Sequence, residues 1–198
     1  MIKRYLLISL LTVSSCSGIN YSYFSDFRNA LSRNEIIIDE SFIDDQEYSF
    51  IKVSNAKNDA IFVLSSISPE GVYKWVGSKS EIIKTKGGLI LETFGLQSDI
   101  KFYSSNFLVN QNTDRINTHI NLYNPDLIFE PISFFKKSFQ ANTENGVTTE
   151  ILVLERNVLN IGWTAEDIYS FKDGKIYQST QEINPLLEPI KITFYFKY

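Results

Sequence analysis

From Glu35 onward the chain runs in short apolar stretches rich in Ile, Val, Phe, Tyr and Thr, many of them alternating with polar residues. A period of two places alternate side chains on opposite faces of a pleated strand, a surface that β-branched and aromatic residues fit well. Strand is therefore predicted almost throughout. Ile116, Thr118, Ile120 and Leu122 alternate with Asn117, His119, Asn121 and Tyr123, which predicts a strand with one wet face. Ala60-Ile61-Phe62-Val63-Leu64 is apolar on both faces, as expected of a central strand. The alternation is cleanest at the end, where Ile192, Phe194, Phe196 and Tyr198 interleave with Lys191, Thr193, Tyr195 and Lys197.

Turn chemistry divides this pattern. Gly87-Gly88 between Ile82–Lys86 and Leu89–Phe94, and Asp173-Gly174 between Ile168–Lys172 and Lys175–Ser179, predict tight hairpins, because glycine and aspartate tolerate the positive φ such turns demand. Pro69, Pro125, Pro131, Pro185 and Pro189 are expected at strand ends, since proline lacks the ladder N–H. With no repeat of 20 to 50 residues, the reading is one mainly β domain, a single antiparallel arrangement.

The first 34 residues follow other rules. Lys3 and Arg4 precede a short apolar stretch, Tyr5 to Val13, and then small residues, the layout of a signal peptide. A membrane-spanning helix needs about 20 apolar residues, so this segment is too short to stay as an anchor. The junction Val13-Ser14-Ser15-Cys16 resembles the lipobox of bacterial lipoproteins, which predicts removal of residues 1–15 and lipidation of Cys16. Several acyl chains, each buried methylene contributing about 0.8 kcal/mol, hold a protein on a bilayer far more firmly than one. Ser17 stands where an aspartate would favour the inner membrane, so the expectation is the periplasmic face of the outer membrane. Residues 16–22 read as a short lipidated tether, and 23–198 as the domain. Phe24, Phe27 and Leu31 recur at helical spacing, so Tyr23 to Ser32 predicts a short amphipathic helix packed on it as a lid or plug.

Composition narrows the function classes. Hydrophobic residues make up 43% and aromatics 14%, enough for a proper core. The formal net charge of −4 becomes −6 once Lys3 and Arg4 are removed, which argues against nucleic acid. Cys16 is the single cysteine, excluding an internal disulfide or a cysteine-based metal cluster. His119, the single histidine, has no companion at metal-ligand spacing and is expected to be structural. Asp39, Glu40, Asp44, Asp45 and Glu47 cluster in an expected loop, read as a solvated acidic edge rather than a calcium site. No metal site and no cofactor are expected. The aromatic residues Tyr73, Trp75, Trp163 and Tyr169 are candidates to contact glycan or a partner, because ring faces bind sugars, although most such residues in a β domain fill the core.

The segment from Asp59 to Ile100 resembles the YjbF/GfcB (YmcC-like) family of lipoproteins tied to group 4 capsule and exopolysaccharide production. The matching features are the apolar strand Ala60 to Leu64, then Trp75, then Gly88-Leu89-Ile90-Leu91-Glu92-Thr93-Phe94-Gly95-Leu96, closed by Asp99-Ile100. A second block matches near the C-terminus: Trp163, a strand, Gly174, and Lys175 to Gln181. The resemblance implies a mainly β, barrel-like meander and a place in making or exporting surface polysaccharide, with polysaccharide or export proteins as partners. It implies no catalytic residues. Thr93, Gly95 and Asp99 read as turn-forming positions, Asp99 capping the turn. Two rivals remain open: a glycan-modifying enzyme using a carboxylate pair, and an integral outer-membrane barrel.

Overall fold

The computed structural model describes residues 35–56, 58–103, 114–123, 126–144 and 146–197. These belong to one compact unit, Glu35–Tyr198. Cys16, the tether at 16–22 and the helix expected from Tyr23 to Ser32 lie outside the described residues.

The described strands run in chain order as β1 (Phe50–Ser54), β2 (Asp59–Ile67), β3 (Tyr73–Gly77), β4 (Ile82–Lys86), β5 (Leu89–Phe94), β6 (Ile100–Phe102), β7 (Arg115–Tyr123), β8 (Asp126–Glu144), β9 (Val147–Val158), β10 (Trp163–Lys172), β11 (Lys175–Gln181) and β12 (Ile190–Tyr195). Each pairs antiparallel with the next, and β12 returns to pair with β1, so the meander closes into a barrel. At the seam Phe50 lies opposite Tyr195 and Ser54 opposite Lys191. That register turns Ile192 and Phe194 inward, where both are buried, which is why the C-terminal alternation is so regular. Closure gives each described strand a partner on both sides over at least part of its length.

Both predicted hairpins form. Gly87 and Gly88 take φ +57 and +88 between β4 and β5, and Asp173 and Gly174 take φ +50 and +75 between β10 and β11. Ile116, Thr118, Ile120 and Leu122 of β7 are buried together.

Three expectations are corrected. The acidic cluster is not a loop: Glu40–Asp45 forms a six-residue helix, α1, capped by the Asp39 carboxylate, which accepts from Phe42 N–H at 2.8 Å. An aspartate that satisfies an orphan N–H is a good helix start. Pro131 lies inside β8 opposite His119 rather than at a strand end. The β9 ladder begins only at Ser133, so at Pro131 the strand has one neighbour and the missing N–H is tolerated. The third correction is β2, where Phe62 is buried but Val63 is 38% and Ile67 46% exposed. A closed single-layer barrel has no second layer outside, so even a strand with two neighbours keeps one solvent-facing side.

The inward side chains form one continuous core that includes Ile51, Phe62, Trp75, Ile83, Ile120, Leu154 and Phe194. Fully burying such a side chain contributes about 1.5–3 kcal/mol. Outside this core, Glu92 bridges Lys84 and Lys101 across β4, β5 and β6. A mostly apolar interior differs from the polar lumen of a membrane barrel.

Two polar devices cross this interior. Opposite Lys84 and Thr85 the ladder skips Leu91, a bulge. Next to it, Ile90 N–H donates to Gln181 Oε1 at 3.0 Å, while Gln181 Nε2 donates to Gly88 O at 2.8 Å. β11 is thereby tied to β5 on the far side of the barrel. The second device is the Arg156–Asp167 pair on β9 and β10, with both side chains fully buried and Nη2 and Oδ2 2.6 Å apart.

Candidate functional site

In a meander, every turn that joins an odd-numbered strand to the next even one lies at the same end. The turns after β1, β3 and β5 and the loop after β11 therefore share one rim, and among them opens a cleft of about 680 Å³. Barrel mouths are a common place for ligand sites, whose volumes are typically about 300–1,000 Å³. β1 and β2 contribute Val53, Ala60 and Phe62, the β1–β2 turn Asn55 and Asn58, and the β3–β4 turn Glu81. Ala56, Asp59, residues 96–98 and the loop at 182–190, without Asn184, complete the lining.

The 96–98 wall is positioned by a capped turn. Asp99 Oδ1 accepts from Thr93 Oγ1 at 3.0 Å and from Leu96 N–H at 3.1 Å, while Oδ2 accepts from Gly95 N–H at 2.9 Å. Thr93 Oγ1 in turn accepts from Ile100 N–H at 3.0 Å. Phe94 to Ile100 is thus held by two short side chains, a packing role that needs no ligand. Asp99→Ala removes three of these bonds, and an expected loss of about 1–2 kcal/mol in urea unfolding checks it.

The opposite wall is held from inside the barrel. Arg156 Nη1 donates to the Glu182 carbonyl, and Glu182 N–H donates to Asp167 Oδ1 at 3.3 Å. Trp163 Nε1 donates to Glu182 Oε1 at 2.7 Å. The Arg156 guanidinium lies over the rings of Phe134 and Trp163 at 5.2 and 5.3 Å, an arrangement that favours a desolvated cation. Burial pushes the Asp167 carboxyl up, Arg156 pulls it down, and the net direction is up. Beyond Glu182, Asn184 Nδ2 donates to Ser98 Oγ at 2.6 Å and joins the two walls.

Of the aromatic candidates, Trp75 and Tyr169 are fully buried and Trp163 nearly so. Trp75 Nε1 donates to Thr85 Oγ1 at 2.9 Å, and Tyr73 stacks on its ring at 5.8 Å. Burial, with the Asp167 carboxylate adding to it, raises the Tyr169 phenol well above its usual range. None of the four lines the cleft. Of the motif positions, Thr93, Gly95 and Asp99 shape one wall, Leu96 lines it, Gly88 accepts the Gln181 bond, and Gly174 completes the distant β10–β11 turn. His119 is half-buried on β7. Among the described residues, no group of three or more His, Cys, Asp or Glu is placed to hold a metal ion.

Sequence reasoning missed Arg156 and Asp167, although a signal was there. Arg156 stands in phase with Leu152, Leu154 and Val158, and Asp167 with Trp163, Ala165 and Tyr169. A charge in the apolar phase of one strand, answered by an opposite charge in the apolar phase of the next, marks a buried pair.

Fold and cleft define a class: a small, closed antiparallel β-barrel protein with an apolar interior and a cavity at one rim. Residues 24–195 match the family model described as "Group 4 capsule polysaccharide lipoprotein gfcB, YjbF", and the chain belongs to that family. Among solved structures it is similar to the crystal structure of the hypothetical lipoprotein YmcC from Escherichia coli (K12), with 18% identity and a TM-score of 0.65. The match covers 93% of this chain and 98% of that one and bears on the fold. Comparison with curated proteins gives no significant match.

Proposed function

We propose that this protein is a lipid-anchored accessory component of capsule or exopolysaccharide production, which binds its ligand rather than transforming it. The family match over residues 24–195 carries the reading. The sequence Val13-Ser14-Ser15-Cys16 supplies the anchor, and the short tether after it keeps the barrel near the bilayer at the periplasmic face of the outer membrane. The rim cleft is the place for the ligand, a stretch of polysaccharide, while export proteins act as partners of the module.

Deleting the gene should lower surface polysaccharide, with recovery from the wild-type copy and much less from Cys16→Ala. The same Cys16→Ala protein should move from the membrane pellet to the soluble fraction. Unchanged polysaccharide in the deletion strain would remove the proposal.

A glycan-cleaving reading has one observation in its favour, since Glu81, Glu182 and Glu188 share the cleft. It requires new reducing ends when the protein is incubated with the producing strain's polysaccharide. Binding without cleavage is the outcome expected here.

A further inference from the structure

The lining of the rim cleft is asymmetric in charge, and that asymmetry selects among glycans. Asp59, Glu81, Glu182 and Glu188 line it, and among the described residues no lysine or arginine does, although Lys52 just outside the lining pairs with Asp59 at 2.8 Å. Each carboxylate has two oxygens and accepts several hydrogen bonds. One oxygen of Glu182 takes the Trp163 N–H, and one oxygen of Glu81 takes Lys79 N–H at 2.8 Å. The remaining acceptor capacity suits hydroxyl or ammonium donors on a ligand. Asn58 and Gln97 add side-chain amides that both donate and accept, and Phe62 with its aliphatic neighbours gives an apolar floor. Hydroxyl donors, amide partners and an apolar surface under a ring together fit a saccharide.

Resting on the proposed role in polysaccharide production, we infer that the cleft takes a neutral or amine-bearing stretch of glycan and rejects one carrying uronate or phosphate groups. An anionic residue entering it meets four carboxylates, of which Asp59 is paired with Lys52 at 2.8 Å, so the excess of negative charge falls on the three glutamates. Like-charge juxtaposition in a partly desolvated site is costly, and the expected discrimination is at least about tenfold in Kd. An ammonium on the sugar gains from the same field, so an amino sugar should bind tighter than a neutral one.

The test uses the full lipidated protein in neutral detergent, titrated calorimetrically with three oligosaccharides of equal length: glucosamine, glucose and galacturonate oligomers. Binding in the order glucosamine, glucose, galacturonate is expected, with at least about a tenfold gap between the first and the last. Glu81→Gln/Glu188→Gln should narrow that gap several-fold while thermal unfolding stays cooperative. Asp44→Asn/Asp45→Asn in α1, which removes the same charge away from the cleft, should leave it unchanged. Binding of none of the three, galacturonate binding as tightly as glucosamine, or equal effects of the two double variants would overturn the inference. The gene deletion reads separately: lost polysaccharide in the deletion strain together with no charge selectivity removes this inference and leaves the accessory role standing.

Discussion

Replacing Arg156 with methionine should destabilise the protein by about 3–5 kcal/mol at neutral pH, because it leaves the Asp167 carboxylate buried without its counter-charge. Arg156 also holds the Glu182 carbonyl, so the loop at 182–190 should loosen and the cleft should lose one wall. The pH dependence separates the charge effect from lost packing. In the folded protein the Asp167 pKa is raised, first by burial, so the folded state holds this proton more tightly than the unfolded chain, whose carboxyl titrates near 4. Stability from this group is present below the unfolded value and is lost as pH rises through the folded one. Removing the arginine removes the opposing pull, so the window widens in the variant. The loss should therefore be clearly smaller at pH 4 than at pH 7 in urea unfolding. An equal loss at both would show that packing, not charge, is at fault. Arg156→Met/Asp167→Leu should recover much of the loss, since an apolar pair needs no desolvation of charge.

Gly88→Ala is the second large effect. At φ +88 any L-residue is strained by about 1–2 kcal/mol. A Cβ there would also sit 2.8 Å from Ile176 Cδ1 and 3.4 Å from Tyr169 Cδ1. Overpacking of that kind costs about a further 1–3 kcal/mol. Gly174 supplies the control, because it has φ +75 with nothing within 4 Å of a built Cβ. Gly174→Ala should show the backbone component alone. The difference between the two midpoints measures the close approach of β11 to the β4–β5 hairpin. If the two substitutions cost the same, that approach carries no energy.

What the chain reveals about itself follows the range of the interactions. Hairpins at Gly87-Gly88 and Asp173-Gly174 are legible because the backbone conformation is decided by the residues in the turn. The capping aspartate of α1 is equally local, yet its place among five acidic residues between positions 39 and 47 points to a solvated edge instead. Strand content is legible from period two; the exposed face of β2 is not, because exposure depends on whether a second layer exists. The cleft was out of reach: its lining comes from Asn55, Ala56 and Asn58, from Glu81, from residues 96–98 and from a loop at 182–190, which become neighbours only once the barrel has closed. Trp75 and Trp163 follow the commoner course for aromatics in a β domain, buried with their N–H groups on Thr85 and Glu182. Arg156 and Asp167 are legible through phase alone, each standing among the inward positions of its strand.

Pairing Phe50 with Tyr195 gives the barrel a particular history each time it forms. Hairpins between successive strands can assemble early, since each closes a short loop. The β1–β12 seam joins segments nearly the whole domain apart, so its contacts reward folding only after almost all the chain entropy has been given up. Until the last strand docks, β1 and β11 each present a bare edge to any other chain nearby. A cut that removes only Ile190–Tyr195 would therefore do more than shorten the protein: it would convert the closed barrel into a sheet with two open edges, each able to pair with another chain and seed aggregation.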